Sequence, residues 1–136
     1  MPPHGLAGGP TSEIVVPAEL RFLEVIRSSV RAALNDSDCD AACASDLQLA
    51  CDELAGVLIT SARTPSDLQV AITEDGIDAY VRMIVPVAAS GFRPQVPDLT
   101  RMLLDATADS YEVRTDGQDL VGVIQREISS HPSERP

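Results

Sequence analysis

Leu68-Gln69-Val70-Ala71-Ile72-Thr73-Glu74-Asp75-Gly76, with residues 77–85 behind it, is the stretch that decides the fold. Leu68, Val70 and Ile72 alternate with Gln69, Ala71 and Thr73, the period of a strand with one face on a core. Glu74-Asp75-Gly76 supplies a turn, and residues 77–85 form the returning strand. Residues 110–114 and 120–125 repeat the arrangement around Asp116-Gly117.

Working outward, the period lengthens. Leu20, Leu23, Ile26, Val30 and Leu34 recur at three- and four-residue steps, which predicts a helix opened by Pro17 and running to Asn35. Leu47, Cys51, Leu54, Leu58 and Ala62 keep the same spacing in a second helix over 40–62. A third helix starts at Pro97-Asp98, with Leu99, Met102, Leu103 and Ala106 as its apolar stripe. Residues 13–16 read as a short strand and 87–96 as a loop. The order β-α-α-β-β-α-β-β predicts an α/β two-layer sandwich, its mixed, largely antiparallel sheet covered on one face by helices. Residues 13–128 then form one domain between a disordered leader, 1–12, and a disordered tail, 129–136.

Composition narrows the chemistry. The chain has 136 residues, a net charge of −11, no lysine and no tryptophan. Without lysine there is neither a P-loop nor a Schiff base. His4 and His131 lie in the terminal stretches, so no rigid Ser-His or Cys-His pair is expected. The acidic balance argues against nucleic acid and anionic membrane surfaces, and toward a protein partner with a basic face. No apolar run spans a bilayer and no signal peptide is evident, so the expected location is cytoplasmic. Cys39, Cys43 and Cys51 fall near one helical face, and read as small hydrophobes rather than as a metal or redox sensor. Asp36, Asp38 and Asp40 resemble part of a calcium loop but lack its glycine and distal glutamate, so capping is the expected role.

The second helix carries Asp46-Leu47-Gln48-Leu49-Ala50-Cys51-Asp52-Glu53-Leu54-Ala55-Gly56-Val57-Leu58-Ile59. With the element order, this run resembles the anti-sigma-factor serine kinases of the histidine-kinase-like (GHKL) ATPase superfamily. Leu49-Ala50-Cys51-Asp52-Glu53 matches the first half of that family's helix-two motif. The resemblance implies the histidine-kinase-like ATPase fold, and Glu53 as the base that activates or orients the attacking group. It implies a magnesium-ligating asparagine four residues on, where this chain has Val57, and a histidine where it has Ser61. The adenine-binding aspartate position is Val87. The first glycine of that motif is Ala89, and only Gly91 remains. At the phosphate-cradling entry to the third helix stand Pro97 and Asp98.

These departures predict a family-like fold with nucleotide binding lost, so that neither ATP nor magnesium is an expected cofactor. Glu53 is a vestigial catalytic candidate, its alternative being an ordinary helix carboxylate. The partners implied by the resemblance are a sigma factor, an antagonist of the STAS type, and a second copy of the chain. Arg21, Glu24 and Arg27 on the first helix are the candidate partner-binding residues, Glu24 standing nearest to a frequent family arginine. The alternative for this charged face is simple solvation. The alternative function is an active serine/threonine kinase of an anti-sigma antagonist, with an altered ATP pocket.

Overall fold

The computed structural model describes residues 11–35, 39–88 and 92–128. Its strands are β1 (Thr11–Pro17), β2 (Asp67–Asp75), β3 (Asp78–Pro86), β4 (Ser110–Asp116) and β5 (Asp119–Glu127). Its helices are α1 (Leu23–Ala33), α2 (Ala41–Ser61) and α3 (Asp98–Thr107), with a 3-10 turn at Leu20–Phe22 ahead of α1. The sheet order is β1-β2-β3-β5-β4, and every adjacent pair is antiparallel. The two-layer sandwich is therefore as expected, but the sheet is not mixed. α1 and α2 together return the chain beside β1 in the opposite sense, and β4 folds back through a tight hairpin onto β5.

Both hairpins close with two-residue loops whose first residue is glycine, Gly76 at φ +67° and Gly117 at φ +66°. That left-handed conformation is costly for any residue with a Cβ, which is why Asp-Gly marks both turns. The register then places whole rows on one face. Ile14, Val70, Met83, Gly122 and Val113 lie side by side across the five strands. Ile72, Val81 and Ile124 form the neighbouring row, and all three are buried.

α2 is the central helix. It packs on β3 and β5 and is flanked by α1 and α3. Leu47, Cys51, Leu54 and Leu58 are fully buried, as their spacing predicts, and so are Ala50 and Ala55. Burial thus reaches well around the helix. Its start is fixed by Asp40, whose carboxylate accepts the Cys43 backbone N–H at 2.8 Å. This satisfies one of the donors that a helix N-terminus leaves open. Asp36 and Asp38 lie outside the described residues. At β5 the sheet comes so near that a Cβ on Gly122 would lie 2.6 Å from Leu54 Cδ1 and 3.0 Å from its Cγ, so that Leu54 would have to shift.

Four expectations are corrected. Pro17 ends β1 instead of opening a helix; β1 is an edge strand, where a residue without an N–H is tolerated. Leu20 therefore belongs to the 3-10 turn and is 53% exposed, whereas Ile26, Val30 and Leu34 are buried. Thr11 and Ser12, expected in the leader, pair with Thr73 and Ile72 in the sheet. On α3 the stripe is inverted. Thr100, Leu104 and Thr107 face the body, and Leu99 and Met102 are each 65% exposed. The threonines are cheap to bury because both hydroxyls are satisfied, Thr100 by Glu53 and Thr107 by the Leu103 carbonyl. The leader and tail, otherwise 1–10 and 129–136, lie outside the described residues.

The Leu54–Gly122 contact yields a stability test by urea denaturation. Gly122→Ala is expected to cost about 1–3 kcal/mol through overpacking. Leu54→Ala is expected to cost about 2–5 kcal/mol through the cavity it leaves. The double variant loses less than the sum, because the added methyl enters the space that the leucine vacates.

Candidate functional site

An open groove of roughly 320 Å³ runs between α2, the start of α3 and the 3-10 turn. α2 presents Asp52, Glu53, Gly56, Val57 and Thr60 to it, and the opposite side carries Leu20, Pro97 and Thr100. Positions 52, 53, 56, 57 and 60 share a helix face at steps of one, three and four, so α2 lines one wall along two turns. The structure thus brings Glu53, the Val57 position and the Pro97 entry of the third helix to one place.

Asp52, Glu53, Thr60 and Thr100 at the groove each have a partner inside the fold, and Gln95 also lines it. Thr100 Oγ1 donates to Glu53 Oε1 at 3.0 Å. Asp52 accepts from Arg27, with Nη2 at 3.0 Å and Nε at 3.2 Å from the same Oδ2. This fork clamps α1 against α2, and the hydrogen bond and charge of Asp52 raise the Arg27 pKa further above its usual range. Thr60 Oγ1 returns to the Gly56 carbonyl at 2.9 Å, and Ser61 Oγ to that of Val57 at 2.9 Å. Ser61, at the position of the family histidine, therefore hydrogen-bonds its own helix.

The groove's electrostatics follow from its lining. It holds two carboxylates and no lysine or arginine. Val57 is buried and offers no lone pair. At the entry to α3, Pro97 has no N–H to give. Asp98 is in the first turn and lies 3.6 Å from Arg101 Nη1. A carboxylate there complements the helix dipole and occupies the place where an anion would be attracted. Val87 is buried, bridges Ala62, and donates its N–H to the Gln118 carbonyl at 2.9 Å. Ala89 and Gly91 lie outside the described residues. Among the described residues no group of three His, Cys, Asp or Glu side chains is placed to hold a metal ion.

The candidate partner residues divide. Arg21 and Glu24 are exposed, Arg21 paired with Glu19 at 2.7 Å and stacked 4.8 Å from the Phe22 ring centre. Arg27 is half-buried and committed to Asp52. Glu24 reaches the other side of Arg27 at 3.7 Å. The sequence gives no signal for which arginine clamps α2, nor for Thr100 as the partner of Glu53. Both depend on how α1 and α3 sit against α2. Arg126 Nη2 to Asp46 Oδ2, at 2.9 Å, is a second such clamp, tying β5 to α2.

The cysteines divide as well. Cys39 precedes α2 and is hydrogen-bonded to Cys43, whereas Cys43 and Cys51 are buried on the helix. Burial pushes the Cys51 thiol from 9.0 up to about 12, with the Asp52 charge adding to it. Burial and the Cys43 contact push Cys39 up to about 12 as well. Such thiols are poor nucleophiles at neutral pH.

No protein-family model matches the chain, and no curated protein matches it. Among solved structures it is similar to the crystal structure of the RsbU and RsbW domains of Rv1364c from Mycobacterium tuberculosis. The TM-score is 0.67 at 13% identity, covering 90% of this chain and 33% of that one. At that identity the likeness establishes a shared fold. This chain corresponds to about a third of the length of the chain it matches. Among the described residues no helix is long and apolar enough to cross a membrane.

Cys51 gives this region a pH signature. Its native pKa lies above its unfolded value, so the protonated native form is favoured. That contribution is complete below about pH 9 and is lost as pH rises toward about 12. The urea midpoint of the wild type should fall more steeply between pH 8 and 10.5 than that of Cys51→Ala. Equal slopes would show that the thiol is not desolvated in the native state.

Proposed function

We propose that this chain is an anti-sigma-factor-like regulatory protein that acts by binding other proteins, with nucleotide binding lost. One observation carries the reading. In a fold shared with a structure that contains an RsbW domain, the wall of the groove expected to hold magnesium and nucleotide is Asp52, Glu53 and Val57, with no cation. The residues present do not fit magnesium-ATP as the resembling family would hold it. A metal would find no oxygen at Val57, and the phosphates would meet Asp98 where amides should face them.

The partners of this reading are a basic face of a sigma factor and a STAS-type antagonist. The exposed side chains of Arg21 and Glu24 on the first helical segment support it. Arg27 contributes indirectly, by fixing that segment on α2. Homodimerisation belongs to the same reading. The sheet face away from the helices carries Val15, which is 62% exposed, with half-buried Ile84 in the same cross-strand row and half-buried Val123 farther across on β5. On that face Arg82 stands in one cross-strand row with Glu13 and Glu112.

The kinase alternative rests on Glu53, which keeps a carboxylate at the base position and is oriented by Thr100. Transfer of labelled phosphate from ATP to a co-expressed antagonist, measured beside sigma-factor capture, separates the two. The binding reading expects no transfer, and sigma capture unchanged in Glu53→Ala. It also expects capture to fall at least tenfold in the Arg21→Ala, Glu24→Ala double variant. Transfer by the wild type that Glu53→Ala abolishes would establish the kinase instead.

A further inference from the structure

We propose that the outward stripe of α3 is a docking seat for an amphipathic helix of a partner protein, one whose apolar stripe is flanked by lysine or arginine. The inference goes beyond the sigma-factor reading. It concerns a different surface, and it stands or falls without knowledge of which protein supplies the helix.

Leu99, Met102, Leu103 and Ala106 fall at i, i+3, i+4 and i+7, the spacing by which one helix packs along another. In this fold α3 does not use that spacing. Its body-facing side is Thr100, Leu104 and Thr107, and it packs on α2 through them. Leu99 and Met102 are each left 65% exposed, Leu103 is half-buried, and Ala106 is exposed. Leu20, itself 53% exposed, lines the adjoining groove with Pro97 and Thr100, so apolar surface continues past the start of the helix. A helix whose threonines are buried while its leucine and methionine face outward has, among the described residues, its helix-pairing face unpartnered.

Charge decides the occupant. Asp98 and Asp105 immediately precede Leu99 and Ala106, seven residues apart, and so border the stripe on one flank. Arg101, the one cation of α3, reaches back to Asp98 at 3.6 Å and to the Val96 carbonyl at 3.2 Å, so it offsets part of the Asp98 charge and leaves Asp105 as the stronger of the two. A second copy pairing antiparallel along the stripe would set Asp98 against Asp105 of its mate at both ends, a like-charge arrangement that opposes association. A chain of net charge −11 adds to that opposition. A basic flank instead meets Asp105, and at the other end competes with Arg101 for Asp98, while its apolar residues cover Leu99 and Met102.

The test uses the full chain and two fluorescent helical peptides matched to α3 in length. They carry one leucine stripe, flanked by arginine in the first and by glutamate in the second. Anisotropy should show the arginine peptide binding at least tenfold more tightly than the glutamate peptide, the margin shrinking as salt is raised. The Leu99→Gln, Met102→Gln double variant changes only exposed side chains and should lose that binding by at least tenfold. Asp98→Asn, Asp105→Asn should keep the fold and narrow the margin between the two peptides at low salt. Equal binding of the two peptides, binding of neither, or binding unaffected by the Leu99, Met102 variant overturns the proposal. A wild-type dimer that this variant dissolves in sedimentation also overturns it, because a second copy would then be the occupant.

Discussion

Everything in this molecule is arranged around the seating of α2 on the sheet, and that seating turns on one contact, Leu54 against the bare Cα of Gly122. The close approach lets a twenty-one-residue helix bury residues well around its circumference, with α1 and α3 closing its flanks. A core with so few aromatic residues depends on such proximity, because aliphatic side chains fill space only where backbones come near. Two charged clamps then fix the orientation, Asp52 with Arg27 on one side and Asp46 with Arg126 on the other. The acidic residues of α2 thus hold neighbouring elements in place.

This placement shapes the groove. The same turn of α2 that seats Leu54 presents Asp52 and Glu53 to the opening beside α3, and both are occupied by partners within the chain. A carboxylate already bonded to a threonine hydroxyl is oriented, and it is also less available. Its neighbour Val57 adds a branched apolar group to the same wall. What remains is a groove whose two carboxylates are bonded internally and whose lining carries no lysine or arginine.

Much of the architecture was legible in the residues, for identifiable reasons. The two hairpins announce themselves because period-two alternation ends at Asp-Gly, and glycine at positive φ admits few other conformations. α2 is legible because its apolar spacing is unbroken and Asp40 caps it. Pro17 was misplaced because one property, the missing N–H, suits both the start of a helix and the end of an edge strand. On α3 the sequence points to the opposite face, because hydrophobicity ranks leucine and methionine above threonine. Tertiary hydrogen bonds at Thr100 and Thr107 reverse that ranking, and nothing local records them. The groove follows the same rule. Glu53, Val57 and Pro97 could be singled out along the chain, whereas Leu20 and Thr100 join them only through packing.

The proposed loss of nucleotide binding at this groove is open to measurement. Following the backbone amide signals of Glu53, Gly56, Val57 and Thr100 by nuclear magnetic resonance, while magnesium-ATP is titrated into the full chain, addresses it directly. These four signals are expected to stay in place to millimolar nucleotide. Saturable shifts confined to them at micromolar concentration would contradict it.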